Sequence, residues 1–230
     1  TVFWIVAACV FARSAAMSFN RLADERLDRI NPRTRDWPLP SGRLSRRFLA
    51  VFCLVACAGF IFSAAMLNRL ALYLSPPALA VLLGYSTTKR WTEGSHFVLG
   101  AALGLAPPGA WIGVTGRLEA APLVLGLGVM FWVAGFDIIY ACQDDAFDRR
   151  LGLRSLPARL GRARALAVSA GCHVGAIACF AALEATPGLD LYYLGAVTVA
   201  ACLLAFEQSL VNPRDLSRLG TAFFTLNGWV

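Results

Sequence analysis

Apolar residues run through this chain in long blocks separated by short polar, mostly basic connections. A hydrocarbon core about 30 Å thick needs roughly 20 apolar residues per helix, and the blocks have that length. They predict membrane-spanning helices over residues 2–19, 48–67, 70–87, 97–114, 121–141, 165–183 and 191–210, with an eighth starting near Ala222. Pro76-Pro77 and Pro107-Pro108 fall inside the third and fourth blocks and predict kinks, because proline removes a backbone donor and crowds the preceding turn. The expected fold class is therefore all-α, a polytopic transmembrane helix bundle. Thr1 and Val230 both lie inside apolar runs, so the expectation is one domain over 1–230, truncated at both ends.

Composition agrees. Of 230 residues, 58% are hydrophobic and 15% charged, against about 25% charged in soluble domains. The net charge of +7 would suit nucleic acid if it formed one patch, but the cations lie in alternate connections. Eight Arg fall between 21 and 47, six between 149 and 164, and Lys89, Arg90, Arg214 and Arg218 occupy the others. With Arg13, this puts all but Arg69 and Arg117 on one side of the membrane. The positive-inside rule makes that side cytoplasmic. The expected location is the cell's inner (plasma) membrane, with the lipid bilayer as a partner and no nucleic acid. The seven Cys sit in or beside apolar blocks without metal-ligand spacing and are read as small apolar packers. His96 and His173 also lack ligand spacing and are read as structural.

Two acidic motifs lie on the basic side. Asn20-Arg-Leu-Ala-Asp24-Glu-Arg-Leu-Asp28 spaces its polar residues by four, which stacks them along one helix face. Tyr140-Ala-Cys-Gln-Asp144-Asp-Ala-Phe-Asp148 repeats the spacing, with Asp137 on the same face, and positions 20/140, 24/144 and 28/148 keep a constant offset. Stacked carboxylates repel one another unless a cation lies among them. Two such sets offer the hard oxygen ligands that magnesium prefers, and the nearby Arg residues suit a diphosphate. The competing reading is two solvated helix ends whose charges pair locally, Asp24 with Arg21 or Asp28 with Arg29. Tyr85 and Lys89, four apart at the end of the third block, are either part of the site or interfacial anchors. Arg13 lies about two turns inside an apolar helix, where a cation marks a functional cavity or snorkels to the interface. A cation-coupled transporter is the rival from another class, although its sites belong near the bilayer midplane on broken helices.

These residues resemble the UbiA superfamily of intramembrane prenyltransferases. The stretch from Arg13 through Asn20, Asp24 and Asp28 to Asn31-Pro-Arg-Thr34 is similar to the family's first Asp-rich motif. Asp137-Ile-Ile-Tyr140 through Asp144 to Asp148 is similar to the second, and Tyr85 to Lys89 to its Y-x3-K element. The resemblance extends to Ala222-Phe-Phe-Thr-Leu-Asn-Gly-Trp229. It implies the family's bundle of nine helices, of which about seven are complete here and one is partial. It also implies transfer of a polyprenyl group from polyprenyl diphosphate to an aromatic acceptor. Within the superfamily the chain looks most like the 4-hydroxybenzoate polyprenyltransferases of ubiquinone-type quinone biosynthesis. The segment Leu153-Arg-Ser-Leu-Pro157 departs from them and resembles menaquinone-pathway relatives acting on an aminodeoxyfutalosine-type acceptor.

The roles implied by the resemblance follow the chemistry of each side chain. Asp24, Asp28, Asp144 and Asp148 would hold Mg2+, with Asn20 orienting them. Lys89 and Arg21 would hold phosphate oxygens, and Asp137 would contribute to substrate binding. Tyr85 and Tyr140 would face the allylic cation, and Arg13 would take the acceptor's carboxylate or, equally, the diphosphate.

Overall fold

A computed structural model of the chain describes residues 1–186, 190–216, 220, 227 and 228. Its helices are α1 (Val2–Ile30), α2 (Arg46–Ala65), α3 (Arg69–Thr88), α4 (Ser95–Gly104), α5 (Ala106–Thr115), α6 (Ala120–Ala141), α7 (Asp145–Leu151), α8 (Leu156–Leu160), α9 (Arg162–Ala182) and α10 (Leu191–Leu210). Among the described residues, seven stretches are long and apolar enough to cross a membrane: α1, α2, α3, α4 with α5, α6, α9 and α10. All seven expected spans are present, and the fold is all-α and polytopic. The expected eighth span lies outside the described residues, as does Arg218. The seven Cys are free thiols.

Three details differ from the expected spans, each for a local reason. The first helix does not stop near Phe19 but continues to Ile30, because good helix formers fill the intervening turns until Asn31-Pro32 ends them. Asn31 leaves the helix in an extended conformation while its N–H still donates to Leu27 O. The third helix runs unbroken through Pro76-Pro77. Pro76 has no N–H to offer the Leu72 carbonyl, and the Ser75 hydroxyl donates to that oxygen instead, at 2.9 Å. The fourth span does break, at Leu105. Pro107 and Pro108 then stand in the first turn of α5, where a backbone N–H would have no helical partner anyway.

By packing, the chain falls into two compact units, Thr1–Thr88 with Gly109–Leu118, and Lys89–Pro108 with Glu119–Val230. In the first, α1, α2 and α3 pack on one another around Ala15, Ala56 and Leu79, bordered by Phe11, Phe60 and Leu83. Small residues at the centre bring the helices close, which matters where lipid supplies no hydrophobic force between them. The Asn68 amide donates to the Ile112 carbonyl at 2.7 Å, tying the start of α3 to the 109–118 segment.

In the second unit, α6 packs between partners α4 and α9, with Ala134, Ile138, Ala165 and Cys172 at its core. Polar contacts join the apolar helices. The Ser169 hydroxyl of α9 donates to Gly135 O of α6 at 2.7 Å, and the Gln208 amide of α10 donates to that hydroxyl at 2.8 Å. The α4–α6 crossing is backbone against backbone: a Cβ on Gly104 would stand 2.5 Å from Gly126 O. Gly104→Ala should therefore lower stability by about 1–3 kcal/mol. Gly84→Ala, which meets nothing within 4 Å, should not. Thermal unfolding of the two variants in detergent measures the difference.

Candidate active site

The first motif rides on the C-terminal turns of α1. The Asn20 amide donates to Asp24 Oδ2 at 3.3 Å, so the spacing of four does bring these side chains together. Asp28 is buried and pairs with Arg21 Nη1 at 3.4 Å. The local pairing anticipated between Asp28 and Arg29 does not form. Arg29 instead meets Glu25 at 2.8 Å, and Glu25 also takes Arg46 of α2 at 2.7 Å. Glu25 thus serves as the architectural acid, which leaves Asn20 and Asp24 on a neighbouring face of the helix.

The loop after α1 is built onto the motif. The Thr34 hydroxyl, itself buried, donates to Asp28 O at 3.0 Å. The Asn31 side chain accepts from Arg33 N at 2.9 Å. Trp37 then lies under the Arg21 guanidinium, 3.8 Å from its ring centroid. This cation–π stack presents Arg21 at the edge of a cavity of about 320 Å³, lined otherwise by Trp37, Pro38, Leu39, Leu44 and Leu49. Arg13 is exposed on α1, and Tyr85 is half-buried in the last turn of α3.

The second motif does not lie on one continuous helix, contrary to the face inferred from its spacing. After Ala141 the backbone tightens: Cys142, Gln143 and Asp144 donate to the carbonyls three residues earlier, of Ile139, Tyr140 and Ala141. Asp144 then takes the N-cap position of α7, which starts at Asp145, without a side-chain cap hydrogen bond. Acidic residues suit this position because the first turn of a helix presents unpaired N–H groups. Tyr140 is half-buried at the end of α6. One turn earlier, Asp137 meets His96 of α4, Oδ2 to Nδ1, at 2.6 Å.

The three acids of α7 and its cap differ in their partners. Asp145 is buried and accepts both Nε (3.1 Å) and Nη2 (2.8 Å) of Arg162, with Arg149 as a further partner. This bidentate pair locks α7 to the start of α9. Asp148 is just as buried, at 3% exposure, yet its Oδ2 has no hydrogen-bond partner. Burial pushes its carboxyl above the usual carboxylate range; Lys89, the Ser155 hydroxyl and His96 oppose that, and the charge of Asp144 adds to it. A raised value makes the anion the disfavoured form, so stability is lost as pH rises from the ordinary carboxylate range through that raised value unless a cation compensates. The Asp148 environment therefore suits a divalent cation. Among the described residues no three His, Cys, Asp or Glu side chains form a ready cage. Magnesium does not need one, because one or two carboxylates with water and substrate phosphates suffice.

The sequence model of the UbiA prenyltransferase family matches residues 1–229. The chain belongs to this family. It is 31% identical to the 4-hydroxybenzoate octaprenyltransferase of Methylobacillus flagellatus, over 100% of this chain and 77% of that protein. It is 30% identical to the Nitrosomonas europaea protein of the same name, over 96% of this chain and 75% of that one. Among solved structures, the apo UbiA homologue of Aeropyrum pernix superposes with a TM-score of 0.91 at 36% identity, covering 98% of this chain and 83% of that one. The Archaeoglobus fulgidus UbiA homologue bound to GPP and Mg2+ shares the fold at 18% identity, with a TM-score of 0.73 over 99% of this chain and 85% of that one. As a UbiA-family protein the chain is a membrane prenyltransferase, and the transporter reading gives way to this.

Two ties of this UbiA chain join residues too far apart to leave a local pattern: Asp145 to Arg162, seventeen residues away, and Asp137 to His96, 41 residues distant. Arg149, four residues after Asp145, is the local sign that Asp145 belongs to an ion pair. Removing the cation from the α7 lock exposes its contribution. Arg162→Ala should cost roughly 2–4 kcal/mol, because it strands most of a buried charge, and Arg162→Lys should recover only part of that. Chemical or thermal unfolding in detergent reads both.

Proposed function

We propose that residues 1–230 act as one prenyltransferase domain that moves a polyprenyl group from its diphosphate to a ring carbon of 4-hydroxybenzoate, in ubiquinone-type quinone biosynthesis at the inner membrane. The observation that carries the acceptor is the likeness, over nearly the whole chain, to proteins named for that reaction. The basic, Asp-bearing connections would face the cytoplasm, in keeping with the distribution of Lys and Arg.

The residues proposed for Mg2+ are Asp24 and Asp28, with Asn20 orienting Asp24, and Asp144 and Asp148. Bound there, magnesium would neutralise diphosphate charge and so make it a better leaving group. The partnerless oxygen of buried Asp148 supports this assignment.

The chain's own groups carry the remaining work. Lys89 and Arg21 would hold phosphate oxygens as these gain charge when the allylic C–O bond breaks. Arg21 is prepared for this by its stack on Trp37, which fixes the guanidinium plane. The ring faces of Tyr85 and Tyr140 would stabilise the allylic cation, and the apolar helix surfaces would keep water from capturing it. Arg13 would pair with the acceptor's carboxylate. The ring carbon ortho to the phenol hydroxyl then attacks the cation, and the proton on that carbon leaves to restore aromaticity. One observation favours a second acceptor of the aminodeoxyfutalosine type: the departure at Leu153-Arg-Ser-Leu-Pro157.

Membranes holding the full-length protein, given magnesium, radiolabelled prenyl diphosphate and each acceptor in turn, test the choice. Label should pass to 4-hydroxybenzoate; label passing to the aminodeoxyfutalosine-type compound instead would transfer the assignment to the second reading. Asp24→Ala and Asp144→Ala should each lower turnover by at least about a hundredfold while inserting normally, and near-normal turnover in either would remove the metal assignment. Independently of activity, magnesium added to chelator-treated protein should raise its melting temperature in detergent, and Asp148→Asn should abolish that increment.

A further inference from the structure

His96 is fully buried, at 0% exposure, and each of its ring nitrogens has a partner. The Leu156 N–H approaches Nε2 at 3.4 Å and can only donate, so Nε2 is the acceptor and the proton sits on Nδ1. That Nδ1–H donates to Asp137 Oδ2 at 2.6 Å, while the Asp137 side chain keeps 17% exposure.

Leu156 belongs to a segment that follows the second motif and is bound repeatedly to residues 89–96. Arg154 N donates to Lys89 O at 2.7 Å, Arg154 Nη1 to Trp91 O at 2.9 Å, and Arg159 pairs with Glu93 at 3.3 Å. The Lys89 ammonium lies within electrostatic reach of both Asp137 and Asp148. His96 is thus the buried link between the 153–159 segment and Asp137, a carboxylate within electrostatic reach of Lys89.

We propose that His96 is a positioning residue for prenyl transfer: it fixes Asp137 in register with the 153–159 segment and, through Asp137, orients Lys89 toward the diphosphate. This rests on the reading of Lys89 as a phosphate-holding group. It also gives a role to the segment whose sequence departs from the relatives, since that segment sets the imidazole.

The test uses the full-length protein in membranes and reads the kinetics of both substrates. His96→Leu, which has no donor, should lower kcat/KM for prenyl diphosphate about ten- to a hundredfold with the acceptor KM unchanged. His96→Asn keeps a donor near Nδ1 and should recover most of the loss. Combining either variant with Asp137→Asn should cost nothing beyond Asp137→Asn alone, because the two residues act as one unit. Equal impairment of the Leu and Asn variants, or losses that multiply in the double variant, would overturn the proposal. Should His96→Leu fail to insert, His96→Ala, which also lacks a donor, paired with Asp137→Asn decides by the same non-additivity. Turnover is scored on prenyl diphosphate, so a wrong acceptor leaves the test intact, and an active Lys89→Ala would sink the underlying reading separately.

Discussion

Hydrocarbon cannot solvate a charge or a backbone amide, and the rest of this structure follows from that restriction. Helices satisfy the backbone internally. Where proline interrupts the ladder, either a hydroxyl fills in, as Ser75 does for Leu72 O, or the helix restarts, as α5 does at Ala106. Polar side chains inside the helical units are tied to each other in the same way: Gln208 to Ser169, and Asn227 bridging Trp132 and Glu207 at 2.8 and 2.9 Å. Under such conditions a buried polar atom without a partner becomes informative, because burying it unpaired is costly.

The acids divide accordingly into two kinds. Glu25 and Asp145 hold architecture, each pinned by one guanidinium of its own helix and one from another, Arg46 of α2 and Arg162 of α9. Asp148 has the same burial without that satisfaction at Oδ2. One turn of α7 therefore carries an acid paired at both oxygens and an acid with one oxygen unpaired, three residues apart. In each motif a carboxylate pinned by guanidiniums stands beside the acids proposed for magnesium, so the fold's own ion pairs stiffen the backbone that carries them.

Pattern and spacing made much of this legible. All seven spans within the described residues follow from apolar runs, because the bilayer imposes a length that composition must meet. The contact between Asn20 and Asp24 follows from a spacing of four on a helix that does form. The same spacing misled at the second motif, where the chain leaves α6 at Ala141 and restarts at Asp145, so period alone does not describe the placement of Asp144 and Asp148. Nothing in a local window distinguishes a helix that continues from one that turns and caps again.

By itself, then, the amino-acid order determined the solvent, the number of complete spans, the two acidic motifs and the family they signal, since each of these is a property of neighbouring residues. Tertiary structure alone decided which acids the fold ties down. That depends on cations and imidazoles brought from distant positions, Arg162 to Asp145, Arg46 to Glu25 and His96 to Asp137, and on the burial that leaves one oxygen of Asp148 without any partner. Partner choice is set by packing between helices, and packing between helices has no period along the chain.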